Sequence, residues 1–231
     1  MRYARKVVAL TCIGALASVA GCFSLARTEP LLENYVLGAA ASLPSGVAPA
    51  VRFDLAIGIR RLKLASYLDS PFIVVRRGPN QVEFAEFRRW GEPVEAGINR
   101  VVAAALRGRG VREVAVAPWP ARARYLYVIQ LDVLRFEGLA SADPDSAEGG
   151  VLLLATWEIS RAVDGLALAG GTTHYRRQGW RVGDYPGLVT LLDEGLGVLA
   201  DDLTDALAGL PPVSDARPRN RPPLRDGSRR P

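Results

Sequence analysis

The sequence predicts an α+β domain, two layers thick, in which two amphipathic helices lie on one face of an antiparallel sheet. Three observations predict it. Apolar residues recur at every second position over residues 51–59, the spacing of a strand with one buried face, and further apolar runs read as strands. Two other stretches change to helical spacing. Each helical stretch then carries one apolar stripe, which needs a sheet or another helix to cover it. With 231 residues, 49% of them hydrophobic and 23% charged, the chain has the bulk of one ordinary domain. That composition excludes wholesale disorder, a collagen-like repeat and a polytopic membrane protein.

The elements follow in order along residues 33–210, and no internal repeat interrupts them. Residues 33–37 read as a short first strand, and an Ala/Ser/Pro/Gly loop follows at 39–49. Val51, Phe53, Leu55, Ile57 and Ile59 then alternate strictly. Residues 72–75 and 82–87 are further strands, joined by the turn Arg77-Gly78-Pro79-Asn80. Pro93 suits the first turn of a helix and Gly108 its end, and Val94, Ile98, Val101, Val102, Ala105 and Leu106 share one face between them. Residues 113–117 form a short strand broken by Pro118-Trp119-Pro120. Residues 125–136 and 151–160 are long strands linked by a polar loop at 137–150, and 171–177 adds the next strand. The last helix runs over 186–210, capped by Asp184 and ended by Pro211. Its stripe is Leu188, Leu192, Leu196, Leu199, Leu203, Ala206 and Leu210, and Gly195 and Gly197 predict close backbone packing or a bend.

The two ends have a different character. Arg2, Arg5 and Lys6 precede an uncharged, mostly apolar run at 7–19, which is too short for a spanning helix and right for an export signal. Val19-Ala20-Gly21-Cys22 closes that run and is similar to a bacterial lipobox. Residues 1–21 therefore read as a signal peptide cut between Gly21 and Cys22, with the Cys22 thiol as the nucleophile that receives the diacylglyceryl group. Fatty-acyl chains such as palmitate bury about 0.8 kcal/mol per methylene, and several together give stable attachment. If the chain were merely secreted, Cys22 would be an odd exposed thiol in an oxidising compartment. Residues 22–32 form the acylated tether, and the eight residues 23–30 span at most about 28 Å. Phe23, where lipoproteins of the inner membrane commonly carry Asp, points to the outer membrane. Residues 211–231 hold six prolines and six arginines and read as a disordered, solvated tail, or as one whose arginines touch anionic lipid or cell wall.

The net charge of +5 belongs to these ends. The first 21 residues contribute +3 and residues 211–231 contribute +4, which leaves −2 for the body and no electrostatic case for a nucleic-acid groove. Phosphate-binding glycine motifs and H-E-x-x-H are absent, so no cofactor or ATPase site is proposed. Two cysteines and a single histidine cannot make a four-ligand zinc site, and no metal is assigned. His174 reads as a rim or partly buried strand residue rather than a triad base, and Asp69, Glu83, Glu86 and Glu92 are too scattered for a paired acid/base site. Trp90, Trp119, Trp157 and Trp180 read as core and interface residues.

From residue 67 to 106 the chain resembles a known family. Tyr67-Leu68-Asp69-Ser70-Pro71, Ile73-Val74-Val75-Arg76, Asn80, and Trp90-Gly91-Glu92-Pro93 ahead of Asn99-Arg100-Val101 are similar to the PqiC/YmbA-type ABC-type transport auxiliary lipoproteins. Glu33-Asn34-Tyr35-Val36-Leu37 resembles the family's first strand, and Gly183-Asp184-Tyr185 the lead into its terminal helix. Two departures stand out: Ala65-Ser66 occupies the place of a proline, and the basic tail lies beyond the family's domain.

The resemblance implies an outer-membrane lipoprotein facing the periplasm, a non-enzymatic auxiliary component of an ABC/MCE-type intermembrane phospholipid transport system. Its partners would be a membrane permease, an MCE-domain protein forming the lipid conduit, and, in one arrangement, further copies of itself, with no nucleic acid. The alternative is a structural or assembly lipoprotein of another envelope machine, for secretion or lipopolysaccharide insertion. Tyr67, Asp69, Trp90 and Glu92 combine aromatic anchors with a polar rim and form the expected partner interface. Structurally, the same residues could instead pack under loops and start a helix. Residues 151–155 form either a strand covered on both faces or a surface completed by another subunit.

Overall fold

The computed structural model describes residues 31–38, 53–120, 123–143 and 145–211. The signal, Cys22, most of the tether, the 39–49 loop and the tail after residue 211 lie outside the described residues. Among the described residues no helix is long and apolar enough to cross a membrane.

Among the described residues, the body from Glu33 onward has nine strands and two long helices: β1 Glu33–Tyr35, β2 Phe53–Ile59, β3 Lys63–Leu64, β4 Phe72–Arg77, β5 Gln81–Trp90, α1 Val94–Gly108, β6 Val111–Val116, β7 Tyr127–Ala140, β8 Glu148–Arg161, β9 Ala167–Arg181 and α2 Tyr185–Ala208. The architecture is α+β, as predicted. The sheet is mixed rather than antiparallel throughout. β7 pairs antiparallel with β8 along its whole length, and β8 pairs likewise with β9. On its other edge β7 is shared by three parallel partners in succession: β2 at Tyr127 to Ile129, β3 at Asp132 and Val133, and β4 at Gly138 to Ala140. β2 continues to β6, and β4 continues through an antiparallel pairing with β5 to the parallel β1. The sheet therefore forks around one long central strand.

Several element bounds differ from the sequence reading. The polar loop predicted at 137–150 is shorter, because β7 runs on to Ala140 and β8 starts at Glu148. β9 is fifteen residues long and extends well past 171–177 at both ends.

Register fixes which side chains share a face. Phe136, Leu153 and Tyr175 are cross-strand partners, as are Val133, Ala155 and Thr173. That face is covered by α2, since a Cβ on Gly195 would meet Tyr175 Cδ1 at 2.8 Å and Leu153 Cβ at 3.4 Å. The predicted close packing thus holds at Gly195, whereas Gly197 faces open space. Of the α2 stripe, Leu188, Leu192, Leu196, Leu199 and Leu203 are all at 0% exposure, whereas Ala206 and Leu210 are half-buried and Leu207 is buried instead. In α1, Val94, Ile98, Val101, Val102 and Leu106 are buried as expected, and Ala103 rather than Ala105 completes the set. Val94 lies beside Phe136, so both helices occupy the same side of the sheet.

Polar contacts pin this packing. Tyr175 donates to Glu194 at 3.0 Å, Arg177 pairs with Glu194 at 2.7 Å and Thr173 donates to Asp202 at 2.5 Å, which ties β9 to α2. Arg109 joins the helices, to Asp201 at 2.6 Å and to the Gly197 carbonyl at 2.9 Å. Asp184 caps α2 as predicted, its Oδ1 accepting from the Gly187 N–H at 3.1 Å.

Candidate partner interface

The four residues nominated from the sequence sit on two segments that the fold brings together. A single 3₁₀ turn, Ser66–Leu68, links β3 to β4. It buries Leu68 and leaves Tyr67 half-buried and Asp69 exposed. The second segment is the end of β5 and the approach to α1, and the Trp90 N–H donates to the Pro71 carbonyl at 2.7 Å to join the two. Leu64, Leu68, Val74, Trp90, Val94 and Phe136 wall one small space between them. β1 completes this end: Glu33, Asn34 and Tyr35 pair with Arg88, Arg89 and Trp90.

The missing proline has a structural counterpart. Ala65 has φ −57° and ψ 134°, values a proline could adopt, but its N–H donates to the Val133 carbonyl at 2.9 Å. A proline at this position would abolish that bond, which prolongs the β3 to β7 pairing.

Tyr67 is the hub of a polar network that the sequence does not reveal. Its hydroxyl donates to Glu137 Oε2 at 2.8 Å and lies 3.2 Å from the Leu134 carbonyl. Glu137, with a fully buried side chain, also accepts from Arg76 Nε at 2.5 Å and from Arg135 Nη1 at 3.0 Å. The Arg76 guanidinium stands 5.7 Å from the Tyr67 ring centroid. Burial, the hydrogen bond to Glu137 and its negative charge push the Tyr67 hydroxyl up to about 12. Arg76 is raised as well, chiefly by its hydrogen bond to Glu137. Leu152 and Arg176 are the register partners of Glu137 across β8 and β9, so the network lies on the face opposite α2.

The remaining nominees differ in accessibility. Trp90 is 8% exposed and packs on Phe136 at a centroid distance of 6.0 Å. Glu92 is half-buried and pairs with Arg100, which in turn donates to the Leu37 carbonyl at 3.0 Å. Neither the side chain of Glu92 nor any other caps α1, whose preceding residue is Pro93. The accessible part of the nominated set is therefore Tyr67, Asp69 and Glu92, whereas Trp90 belongs to the core.

The other chemical candidates are spread apart. His174 is exposed on β9 opposite Leu154. Trp119 packs on Tyr125 at 5.3 Å, and Trp180 is buried and donates to the Asp184 carbonyl at 2.8 Å. Among the described residues no three His, Cys, Asp or Glu side chains converge on a point that could hold a metal ion. In β8, Val151, Leu153 and Ala155 are fully buried, and Leu152 and Leu154 are half-buried on the far face.

The described body is a forked α+β sheet with two helices on one face, and the Trp90 to Pro71 hydrogen bond joins the two segments that carry Tyr67, Asp69 and Glu92. Residues 35–204 match the family described as ABC-type transport auxiliary lipoprotein component, and the chain belongs to that family. No curated protein matches it. Among solved structures it is similar to protein XCC0632 from Xanthomonas campestris, at 19% identity over 75% of this chain and 90% of that one, with a TM-score of 0.56. A second structure, of an uncharacterized protein, is 15% identical over 69% of this chain and 96% of that one, with a TM-score of 0.52. These likenesses concern the fold alone.

Proposed function

We propose that this lipoprotein is held in the outer membrane by acyl chains on Cys22, faces the periplasm, and serves a phospholipid transport system of the ABC/MCE type. It performs no catalytic step. Its contribution is geometric: the anchor fixes it to one membrane, and the rim formed by Tyr67, Asp69 and Glu92 engages the MCE-domain conduit that works with the permease. The observation that carries this reading is the order of parts, a lipobox at residues 19–22 followed directly by a family domain that begins at residue 35. Trp90 and the Tyr67 network favour a rigid rim, because a contact surface whose side chains are already held loses less entropy on binding.

The test is purification of the native protein from membranes, with mass spectrometry of its N-terminus and of its companions. The reading requires a triacylated Cys22 and an MCE-domain protein in the same complex. A β-barrel or secretin in its place would indicate the alternative, an assembly lipoprotein of another envelope machine. The rim has its own measurement. Asp69→Arg is exposed and should change folding stability by no more than about 0.5 kcal/mol, while reducing recovery of the partner. Unchanged recovery would remove Asp69 from the interface.

A further inference from the structure

A groove of about 890 Å³ runs between α1 and the end of β6, and meets the rim at Pro93 and at Arg100, the ion-pair partner of Glu92. Ala96, Asn99 and Ala103 of α1 form one side, and Val116, Ala117 and Pro118 the other. Its size is that of a ligand site rather than a packing defect. Two independent features indicate what it takes.

The first is charge. Arg61, Arg100 and Arg107 line the groove with one carboxylate, Glu95, and Arg100 also pairs with Glu92 at its end, which leaves an excess of one positive charge. Arg61 pairs with Glu95 at 3.2 Å and its side chain is 85% exposed, and Arg107 donates to the Val114 carbonyl at 2.5 Å. Each guanidinium carries five N–H donors, so these bonds leave donors over for an anionic group.

The second is Asn99. It is 4% exposed and lines the groove, yet its Oδ1 has no hydrogen-bond partner. A buried carboxamide oxygen without a partner is costly and uncommon in a folded protein. Asparagine offers an acceptor and a donor side by side, the same pair a peptide group presents in reverse. An acyl chain laid here would leave the amide unpaired, whereas a main chain would satisfy it. The small side chains of Ala96, Ala103 and Ala117 leave room for a backbone to approach.

We infer that this groove binds an extended, acidic peptide segment of a partner protein, with Asn99 pairing to its backbone and Arg61, Arg100 and Arg107 to its carboxylates. The inference deepens the proposed function by assigning a mode of partner recognition, but the groove itself does not require the partner to be an MCE protein.

The experiment uses the full-length protein in its own membrane, with the photoreactive residue p-benzoylphenylalanine replacing exposed Ala96 and the cross-linked residue mapped by mass spectrometry. The expected adduct is a protein segment with Asp or Glu beside the cross-linked position. Its yield should fall at least about tenfold in Asn99→Leu and in the double charge reversal Arg61→Glu/Arg107→Glu, with the unfolding midpoint of Asn99→Leu equal to or above that of the parent. Adducts to phospholipid alone, a mapped segment without acidic residues, no adduct, or a yield indifferent to these substitutions would overturn the inference. A marked fall in the midpoint of both Asn99→Leu and Asn99→Ala would do so too, because it would make Asn99 a structural residue. An acidic segment mapped to some protein other than an MCE component would leave the groove assignment standing and remove the conduit reading.

Discussion

Glu137 has no exposed side-chain surface and holds two arginines and a tyrosine. Removing one member of such a group leaves the others charged and unmatched, so Glu137→Ala should cost about 3–5 kcal/mol in urea unfolding. Tyr67→Phe removes only one hydrogen bond and should cost about 1 kcal/mol. The pH dependence separates the two roles. Because the folded chain keeps the Tyr67 proton up to about 12, while an unfolded tyrosine releases it near the ordinary value of 10, the folded state binds more protons in that window. Stability must therefore fall as pH rises between those values. Tyr67→Phe should make that decline shallower, measured as unfolding free energy against pH. An unaltered slope would mean that the hydroxyl is solvated. Glu137 was hidden in the sequence because a lone carboxylate ending an apolar run has the composition of a loop start. Its partners, Arg76 and Tyr67, are more than sixty residues away in the chain, a proximity that no local pattern encodes.

Among the elements, what could be read depended on periodicity. Alternation located β2, long apolar runs located β7 and β8, and helical stripes located α1 and α2, because a side chain's face is set by its own backbone spacing. Strand direction is not a local property, so the parallel pairings of β2, β3 and β4 with β7 left no trace in the pattern. Both ends of β9 were missed for a related reason: Gly170 and Gly179 look like turn residues, yet both lie in the strand, Gly170 opposite Glu158. Of the expected interface, the exposure of Asp69 follows from its place after a turn, whereas the burial of Trp90 depends on Phe136, Leu64 and Leu68 meeting it in three dimensions. The paired glycines of α2 give a direct test of packing. Gly197→Ala meets nothing within 4 Å and should stabilise the protein by up to about 1 kcal/mol through helix propensity. Gly195→Ala would press on the Tyr175 ring and should destabilise it by about 1–3 kcal/mol. Thermal melts of the two variants shifting in the same direction would contradict this geometry. Asp184→Ala, which removes the α2 cap, should cost about 1 kcal/mol in the same measurement.

For the whole molecule, the basic character lies in the terminal segments and the forked body carries the family's fold. If Cys22 is the anchor, Cys22→Ser should leave the body folded but move it from the membrane to the soluble fraction on centrifugation. Deleting residues 212–231 should leave both membrane attachment and partner recovery intact, because the body ends its last helix at Ala208 without them. Loss of partner recovery on that deletion would give the arginine-rich tail a role in the complex.

The short pairing of β1 has a mechanical meaning for a protein tied to a bilayer. Glu33, Asn34 and Tyr35 are held against β5, which is itself secured by β4 on its other side. The Tyr35 carbonyl also accepts from the Gly91 N–H at 2.7 Å, and its ring stands 6.3 Å from that of Tyr185. The chain is gripped again at Leu37 and Gly38, where the Gly38 N–H meets both oxygens of Asp193 at 2.8 and 2.9 Å and Arg100 holds the Leu37 carbonyl. A pull along this segment would thus be handed on to α1 through Arg100 and to α2 through Asp193, instead of falling on β1 alone.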